Sequence, residues 1–259
     1  MSEWSFNDLN LILKIAELAG QKILKIYQKG STQIKAKSDG TPLTKADMVS
    51  HETIQTELKK NYKEIPILSE EGKRFKKDND VFWCVDPLDG TKEFIRKNGE
   101  FTVNIALIKD KEPILGVIHI PVLKESFMAL KNFSAFHVSN GKVKKLVEQH
   151  DKVKKIPTFA VSRSHSNTKT NKFIKTHQAQ IIRAGSSLKF TLLAQGRADA
   201  YPRFGPTSLW DVAAGHAILK ETGGEVYTLY GAPLIYCSTK ILNPELIAVR
   251  NHNFKFKIK

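Results

Sequence analysis

The sequence predicts an α+β first half joined to an α/β second half, and three patterns support this division. Near the start of the chain, apolar residues recur with helical spacing in two successive segments. Short alternating stretches separated by turn residues follow, which is typical of a mostly antiparallel sheet. Strand-like and helix-like stretches then alternate, as they do in α/β folds. We therefore expect two halves, residues 1–150 and 151–259, in this chain of 259 residues.

The first half begins with two predicted helices. One face of the first helix carries Leu9, Leu13, Ala16, Ala19, Ile23 and Tyr27, and Gly30 marks its predicted end. Residues 34–37 predict a strand and residues 38–42 a turn. The second helix should begin at Thr44, because Asp47 stands three residues later, as in a capping box. Asp47 therefore has a structural explanation as a capping residue.

Two apolar strands, residues 65–69 and 81–85, each lead directly into acidic residues. We expect Pro87 to end the second strand, because proline has no amide to donate to the sheet. Like charges that lie this close raise each other's pKa, so they are tolerated most easily where a cation lies between them. Hard divalent ions with oxygen ligands, Mg²⁺ above all, suit that position. The acids in question are Glu70, Glu71, Asp86 and Asp89.

Gly90 and Thr91 follow these acids, and a short helix is predicted from Lys92 onward. Amides at the start of a helix bind phosphate well. Carboxylates for a metal ion beside amides for a phosphate indicate phosphoryl chemistry. The alternative is an Asp-Pro turn followed by a helix cap, which is common in α/β proteins.

The remainder of the first half is predicted to be a meander of strands, with Asn140-Gly141 as a hairpin turn. A stretch rich in lysine and glutamate, residues 142–155, marks the predicted seam between the halves. The strands of the meander are residues 101–108, 114–120, 126–130, 135–138 and 143–147.

In the second half, predicted strands alternate with predicted helices. The strands are residues 158–161, 181–184 and 198–201, and the helices are residues 188–195 and a segment from Trp210 to Gly223. Polar residues follow the first two strands, namely Ser162-Arg163-Ser164-His165 and Gly185-Ser186-Ser187. Asp211 stands at the start of the last helix, where an acid is usually a cap.

The composition bounds the function. The formal net charge is +15, which would attract anionic substrates and would also suit contact with an anionic membrane, such as the cytoplasmic face of the inner membrane. The alternative is an ordinary lysine-rich surface. No zinc pattern, aromatic RNA-binding box or helix-turn-helix pattern is present, so we expect no stable nucleic-acid complex. Two cysteines, Cys84 and Cys237, form no disulfide framework, and no apolar run fits a signal peptide or a membrane span, which favours the cytoplasm.

Three strings carry a resemblance to a known family. They are Ser69-Glu70-Glu71, Asp86-Pro87-Leu88-Asp89-Gly90-Thr91-Lys92-Glu93-Phe94 and Trp210-Asp211-Val212-Ala213-Ala214-Gly215. Together they resemble the signatures of the inositol monophosphatase superfamily of Mg²⁺-dependent, lithium-sensitive phosphatases. The Lys-Glu-Phe ending is most similar to the CysQ-type 3'(2'),5'-bisphosphate nucleotidases. This resemblance spans residues 39–224 and implies the layered αβαβα fold of these sugar phosphatases.

The resemblance also implies site residues and a mechanism. Two or three Mg²⁺ ions would be held by Glu70, Asp86, the Leu88 carbonyl, Asp89 and Asp211, with Glu71 in a supporting role. Thr91 would orient the attacking water, with Asp47 or Glu70 as the base, and the amides of Gly90 and Thr91 would hold the phosphate. In a two-metal site, one ion activates water and the other stabilises the leaving oxygen. For Asp47, pure helix capping remains an alternative.

The resemblance implies a substrate, 3'-phosphoadenosine 5'-phosphate, which would be cleaved to AMP and phosphate. Glu70, Leu88, Asp89, Gly90, Thr91 and Asp211 would contact the reacting phosphate. Ser186 and Lys189 would meet the second phosphate, with Ser187, Arg203 and residues 162–165 nearby. An alternative for Lys189 is a solvated helix position. CysQ-type enzymes usually carry an acid where this chain has Leu209, so we expect the substitution to remove a polar group near the substrate.

Two other functions remain open at this point. An inositol monophosphatase or a sugar-bisphosphate phosphatase would share the same metal-binding acids. A basic protein that binds RNA or a membrane without catalysis would explain the charge, but it would gain nothing from clustered carboxylates facing a polyanion. We expect a monomer or a homodimer that acts on a small nucleotide bisphosphate.

Overall fold

The computed structural model describes residues 4–29, 34–36, 42–148, 156–164 and 167–252. Within these ranges the helices are α1 (Phe6–Lys29), α2 (Lys45–Asn61), α3 (Thr91–Ile95), α4 (Thr168–Thr176), α5 (Leu188–Ala194) and α6 (Leu209–Lys220). The sequence predicted all of these except α4. That helix has nine residues and buries only Phe173, so it offers too few apolar positions for a helical repeat to be recognised in the sequence. The predicted end of α1 at Gly30 and most of the turn at 38–42 lie outside the described residues.

A sheet of seven strands contains most of the first half. In spatial order, the strands are β3 (Ile67–Ser69), β4 (Val81–Asp89), β5 (Thr102–Lys109), β6 (Glu112–Ile120), β7 (Glu125–Leu130), β8 (Ser134–Ser139) and β9 (Lys142–Lys145). Only the β3–β4 pair is parallel, so the expected, mostly antiparallel sheet is confirmed. Asn140 and Gly141 have φ values of 51° and 71°, as a tight hairpin between β8 and β9 requires. Outside this sheet, β1 (Ile34–Ala36) pairs with β2 (Pro42–Thr44).

The prediction that Pro87 ends its strand was wrong, because β4 continues to Asp89. Asp86 lies opposite Asn104 on β5, whereas Asp89 lies opposite Thr102. Three steps along β4 therefore span two steps along β5, which is a β-bulge. A bulge tolerates proline, because the extra residue of a bulge is left unpaired and the missing amide of proline therefore costs no hydrogen bond of the sheet.

The first residues of the predicted seam, 142–155, belong to the sheet. Lys142–Lys145 forms β9, the edge strand of the seven-stranded sheet, and all four of its residues are exposed. Lysines on an exposed edge discourage pairing with another strand. Residues 149–155, which include the predicted boundary between the halves, lie outside the described residues, so that boundary stays a prediction.

A second sheet of five strands contains most of the second half. Its strands are β10 (Thr158–Ser162), β11 (Gln180–Ala184), β12 (Ala200–Arg203), β13 (Glu225–Thr228) and β14 (Leu246–Val249), and their spatial order is β11-β10-β12-β14-β13. β10 runs parallel to β11 and β12, and β14 runs antiparallel to β12 and β13. The sequence analysis missed β13 and β14, because each has four residues and shows little periodicity.

The layers follow from which side of each strand is apolar. Trp83 and Val85 on β4 face a core shared with α1 and α2, whereas Phe82 and Cys84 face a core shared with α5 and α6. The five-stranded sheet closes the other side of α5 and α6, and its far face packs on Phe173 of α4. The expected α-β-α-β-α layering is therefore confirmed.

Two further findings concern the cellular setting. No helix within the described ranges combines the length and the apolar character that crossing a bilayer requires. Cys84 and Cys237 are both free thiols, as the sequence suggested.

Close packing between α1 and β6 yields a stability prediction. A Cβ on Gly20 would lie 2.5 Å from Cδ2 of His119, whose ring is buried and hydrogen bonded to Ser126 at 2.8 Å. Alanine normally stabilises a helix interior relative to glycine by about 1 kcal/mol. Here we expect Gly20→Ala to lower the free energy of unfolding by about 1–3 kcal/mol instead, because overpacking forces the imidazole to move. Urea denaturation would measure this.

The control is the same substitution in a His119→Ala background, where the space is vacant. There Gly20→Ala should be neutral or stabilising. An equal loss of stability in both backgrounds would show that the imidazole is not the obstacle.

Candidate active site

Three acids from two elements, of which Asp86 is buried and Asp89 and Asp211 are half-buried, meet in the space between the sheets. Asp86 and Asp89 come from the bulged end of β4, and Asp211 comes from the first turn of α6. One carboxylate oxygen from each lies within 4.8 Å of the other two. The bulge matters here, because Asp86 and Asp89 would lie on opposite faces of a regular strand.

Backbone and side-chain hydrogen bonds fix the bulge. The amide of Leu88 donates to Oδ1 of Asp86 at 3.1 Å, and the hydroxyl of Ser50 on α2 donates to the carbonyl of Pro87 at 2.6 Å. The side chain of Leu88 is buried in the core below α1 and α2. The irregular backbone is therefore held from below by the helix layer.

Asp89 is held by polar neighbours that the sequence analysis did not assign to the metal site. Its Oδ2 accepts hydrogen bonds from the Ser187 hydroxyl at 2.8 Å and from the Asn104 amide at 3.3 Å. Asn104 also donates to Ser187 at 2.8 Å. Asn104 is buried in the middle of the otherwise apolar strand β5, and that pattern was the available signal.

Asp211 closes a capping box at the start of α6. Its Oδ2 accepts the backbone amide of Ser208 at 2.7 Å, and the Ser208 side chain in turn accepts a backbone amide of the first turn. The other oxygen of Asp211 remains available to the acid cluster. Asp211 is therefore both a capping residue and a member of the cluster, two roles that the sequence analysis had weighed separately.

Asp47 combines two roles in the same way. Its Oδ2 accepts both the amide and the hydroxyl of Thr44 in the predicted capping box at the start of α2. Its Oδ1 accepts the hydroxyl of Thr91 at 3.0 Å. Capping alone therefore does not describe Asp47, because it also fixes the hydroxyl predicted to orient water.

Asp86, Asp89 and Asp211 line a cleft of about 230 Å³, and we call this group of lining residues, together with Glu70, the acidic wall. Glu70, Leu88, Gly90 and Thr91 line the same cleft, so the structure brings together the predicted site residues apart from Asp47, which lies one hydrogen bond behind Thr91. Gly90 has φ of 93°, and a Cβ there would lie 3.2 Å from Ser186, so only glycine fits easily. Glu71 does not belong to the lining.

The electrostatics of this wall call for a cation. Burial raises the pKa of Asp86 well above its usual range, and the charges of Glu70, Asp89 and Asp211 raise it further. Burial, followed by the charge of Asp89, raises the pKa of Asp211 to about 7. Burial also raises the pKa of Asp89. A divalent ion with oxygen ligands would reverse these shifts, so the donor set fits a hard ion such as Mg²⁺.

A second group of lining residues, which we call the donor wall, carries hydrogen-bond donors and positive charge. Ser186, Lys189 and Arg203 line it, together with Ser162. Burial lowers the pKa of Lys189 to about 8, and the charge of Asp89 opposes this effect. Among the described residues, Oγ of Ser186 and Nε of Arg203 are buried without a hydrogen-bond partner. Unpaired buried donors are costly, so this wall is built to receive an anion.

The structure excludes the alternative for Lys189 and contradicts the expectation for Leu209. Lys189 is only 4% exposed, and its Nζ lies 5.1 Å from the centroid of the Tyr201 ring, so it is not a solvated helix position. Leu209 is 2% exposed and packs in the core with Trp210 and Val212. Leu209 does not line the cleft, so the expected loss of a polar group next to the substrate does not follow at this position. His165, named with residues 162–165, lies outside the described residues.

Sequence reasoning missed part of the lining altogether. Glu93, Phe190, Tyr201 and Thr207 all contribute to the cleft. Glu93 is 4% exposed and accepts the hydroxyl of Ser164, which joins α3 to the end of β10. A single aromatic or acidic residue in these segments carries no distinct signal, because only the packing of the two sheets brings it to the cleft.

Comparisons with known proteins agree with this geometry. The chain matches the profile of the Inositol monophosphatase family over residues 8–255. It is 41% identical to the 3'(2'),5'-bisphosphate nucleotidase CysQ of Shigella flexneri over 244 residues, which cover 91% of this chain and 97% of the relative. It is 42% identical to the CysQ of Buchnera aphidicola, covering 88% of this chain and 87% of that one.

Solved structures give the same result. The fold is similar to that of CysQ from Bacteroides thetaiotaomicron, with a TM-score of 0.81 and 39% identity, covering 95% of this chain and 98% of the other. It is also similar to the IMPase of Thermotoga maritima, with a TM-score of 0.78 and 25% identity, covering 94% and 92% of the two chains.

The mutual repulsion of the buried acids yields a stability prediction. We expect Asp86→Asn to stabilise the protein in EDTA at pH 8 by about 1–3 kcal/mol, because it removes one of several crowded charges. In wild type, Mg²⁺ should raise the melting temperature by binding the folded state, and Asp86→Asn should abolish that rise. Thermal unfolding with and without Mg²⁺ measures both effects.

Glu71→Gln is the matched control, since Glu71 lies outside the cleft lining. It should leave both the stability in EDTA and the response to Mg²⁺ close to those of wild type. A destabilised Asp86→Asn protein that still responds fully to Mg²⁺ would contradict the assignment.

Proposed function

The chain belongs to the inositol monophosphatase family, and from this membership and the cleft we infer that it is a 3'(2'),5'-bisphosphate nucleotidase. It hydrolyses 3'-phosphoadenosine 5'-phosphate to AMP and phosphate in a Mg²⁺-dependent reaction. The observation that carries this proposal is that one cleft contains both the acidic wall and the donor wall. The names of the relatives support the choice of substrate.

The acidic wall would hold the metal ions. Glu70, Asp86 and the Leu88 carbonyl are proposed to bind one Mg²⁺, and Asp86, Asp89 and Asp211 a second, with a third ion not required by these residues. When bound, such ions supply an activated water and neutralise the charge of the phosphate. The hydrogen bonds to Asp89 from Ser187 and Asn104 then set the direction of its carboxylate, as outer partners of metal ligands commonly do.

Thr91 and Asp47 are proposed to handle the attacking water. The Thr91 hydroxyl lines the cleft and donates to Asp47, so its oxygen keeps lone pairs that can accept a proton of water. Asp47 would then act as the base through Thr91, which would give its own proton to Asp47 as it takes one from the water, with Glu70 as the second candidate. The amides of Gly90 and Thr91 stand at the start of α3 and are proposed to bind the phosphate oxygens. No covalent intermediate is needed for this arrangement.

The donor wall is proposed to bind the second phosphate of the substrate. Ser186 and Arg203 each bring a buried donor without a partner, and Lys189 brings a buried cation. An inositol monophosphate has no second phosphate, so the Ser186 and Arg203 donors would remain unpaired in its complex, and the Lys189 ammonium, which donates to the carbonyl of Ser186, would meet no second anionic group of the substrate. For this reason the geometry favours a bisphosphate over an inositol monophosphate, which is the second candidate because of the shared acids.

The remaining expectations are narrower. The substrate is a small nucleotide bisphosphate, and no nucleic-acid complex is part of this function. Neither the described residues nor the relatives support the peripheral membrane contact that the net charge alone suggested. We propose a cytoplasmic location, which suits the two free thiols.

Phosphate release from a panel of substrates tests the function directly. In Mg²⁺, kcat/KM for 3'-phosphoadenosine 5'-phosphate should exceed that for inositol 1-phosphate and for fructose 1,6-bisphosphate by about two orders of magnitude or more. Li⁺ should inhibit, as the family resemblance implies. A preference for inositol 1-phosphate would overturn the nucleotidase assignment but would leave the metal site standing.

Lys189 provides a sharper test of the donor wall. Lys189→Met keeps most of the side-chain volume and removes the charge, so the fold should survive. KM for the bisphosphate should rise about 10- to 100-fold, since a charge-assisted hydrogen bond contributes roughly 1.5–3 kcal/mol. Turnover of a monophosphate should change little. Equal losses on both substrates would show that Lys189 does not recognise the second phosphate.

The pairing of Thr91 with Asp47 predicts another pattern. Thr91→Ala should lower kcat about 10²- to 10⁴-fold with little change in KM, because it removes a group that positions the nucleophile. Thr91→Ser keeps the hydroxyl and should restore most of the activity. If Thr91→Ser were as slow as Thr91→Ala, the methyl group rather than the hydroxyl would be the essential feature.

A further inference from the structure

Arg74 lies in the loop between β3 and β4, next to the acids but outside the cleft lining. Its Nη1 donates to the carbonyl of Ser69 at 2.8 Å and to that of Gly72 at 3.1 Å, and its Nη2 donates to the carbonyl of Glu70 at 3.2 Å. A planar guanidinium has several donors in a fixed geometry, so one side chain can gather three carbonyls. Lysine, with a single ammonium group, cannot reproduce this arrangement.

The three carbonyls belong to the turn that carries Glu70. The amide of Gly72 donates to Ser69 at 3.0 Å, which closes the turn, and the amide of Glu70 donates to Val85 of β4 at 3.1 Å. His51 on α2 contacts the Ser69 hydroxyl at 2.9 Å through Nδ1. The first residue of the turn is thus held by the sheet and by α2, whereas the turn itself is gathered by Arg74.

The same guanidinium also reaches the element that carries Asp211. Its carbon lies 4.6 Å from the centroid of the Trp210 ring, in a cation–π arrangement. Trp210 is 5% exposed and immediately precedes Asp211 on α6. Arg74 therefore joins two acid-bearing segments that are about 140 residues apart in the chain, one from each sheet region.

We propose that Arg74 is a positioning residue that sets the Glu70 turn against the start of α6 and thereby sets the affinity of the acidic wall for a divalent cation. Its bonds go to backbone carbonyls, so substituting it removes no carboxylate from the site. This inference rests on the metal site proposed above. It assigns a function to a residue that touches neither the substrate nor the reacting atoms.

Equilibrium binding of Mn²⁺, measured by electron paramagnetic resonance, tests this without turnover. We expect Arg74→Gln to weaken Mn²⁺ binding about tenfold or more, the range usual for residues that support metal ligands. The Mg²⁺ concentration for half-maximal activity should rise by a similar factor, with kcat at saturating Mg²⁺ close to that of wild type. Arg74→Lys should also bind Mn²⁺ weakly, because lysine keeps the positive charge but lacks the several donors of the planar guanidinium.

Lys73→Gln is the matched control, because Lys73 is exposed, adjacent in the chain and of the same charge. It should bind Mn²⁺ like wild type, which separates a local effect from the general loss of a positive charge. Unchanged Mn²⁺ affinity in Arg74→Gln would overturn the proposal. So would a loss of kcat at saturating Mg²⁺ without any change in Mn²⁺ affinity.

A double-mutant cycle tests the link to α6. Trp210→Phe keeps an aromatic ring but shrinks the surface below the guanidinium. If Arg74 acts through Trp210, the effects of Arg74→Gln and Trp210→Phe on Mn²⁺ affinity should be markedly less than additive. Strictly additive effects would overturn the link. If wild type bound no Mn²⁺ at all, the proposed metal site itself would fail, and that result is distinct from either outcome for Arg74.

Discussion

The repulsion among the clustered carboxylates of Asp86, Asp89 and Asp211 is the constraint on which the rest of the structure depends. The protein spends folding free energy to keep these charges together, and the layers around them supply the means. The bulge in β4 turns Asp86 and Asp89 to one side, Ser50 holds the bulge from α2, and the first turn of α6 presents Asp211. A cation turns this repulsion into attraction.

Helix α6 is the element that joins the two sheets. Close approach makes this contact possible: a Cβ on Gly116 of β6 would lie 2.5 Å from the carbonyl of Ala214, and one on Gly215 would lie 2.2 Å from Phe190. Small residues on both sides of α6 therefore let the seven-stranded sheet and α5 approach the same helix. Asp211 stands at the start of α6. The packing of this helix between the two sheets therefore also sets the position of Asp211 relative to the donor wall.

Asp47 and Asp211 show how helix starts serve the site. Each uses one carboxylate oxygen to close a capping box and leaves the other for the cleft, where Thr91 or the neighbouring acids meet it. A cap contributes about 1 kcal/mol to helix stability, so fixing the carboxylate adds no separate folding cost. The cap and the site role are consequently two uses of a single geometry.

The sequence by itself determined most of the elements and the acids, because apolar periods and short strings of acids are local signals. It predicted α1, α2, the meander of β5–β9 and the capping box at Asp47, all of which the structure contains. It misplaced the end of β4 at Pro87, since a bulge depends on the neighbouring strand, and the stretch that it marked as a seam, residues 142–155, begins within the edge strand β9. Asn104 behind Asp89, the burial of Lys189 and Leu209, and the bridge from Arg74 to Trp210 were decided only by tertiary structure. Each of these depends on which residues face one another in the packed layers. A polar residue in an apolar stretch, such as Asn104, signals a buried role, but nothing in a single sequence identifies the distant residue that it contacts.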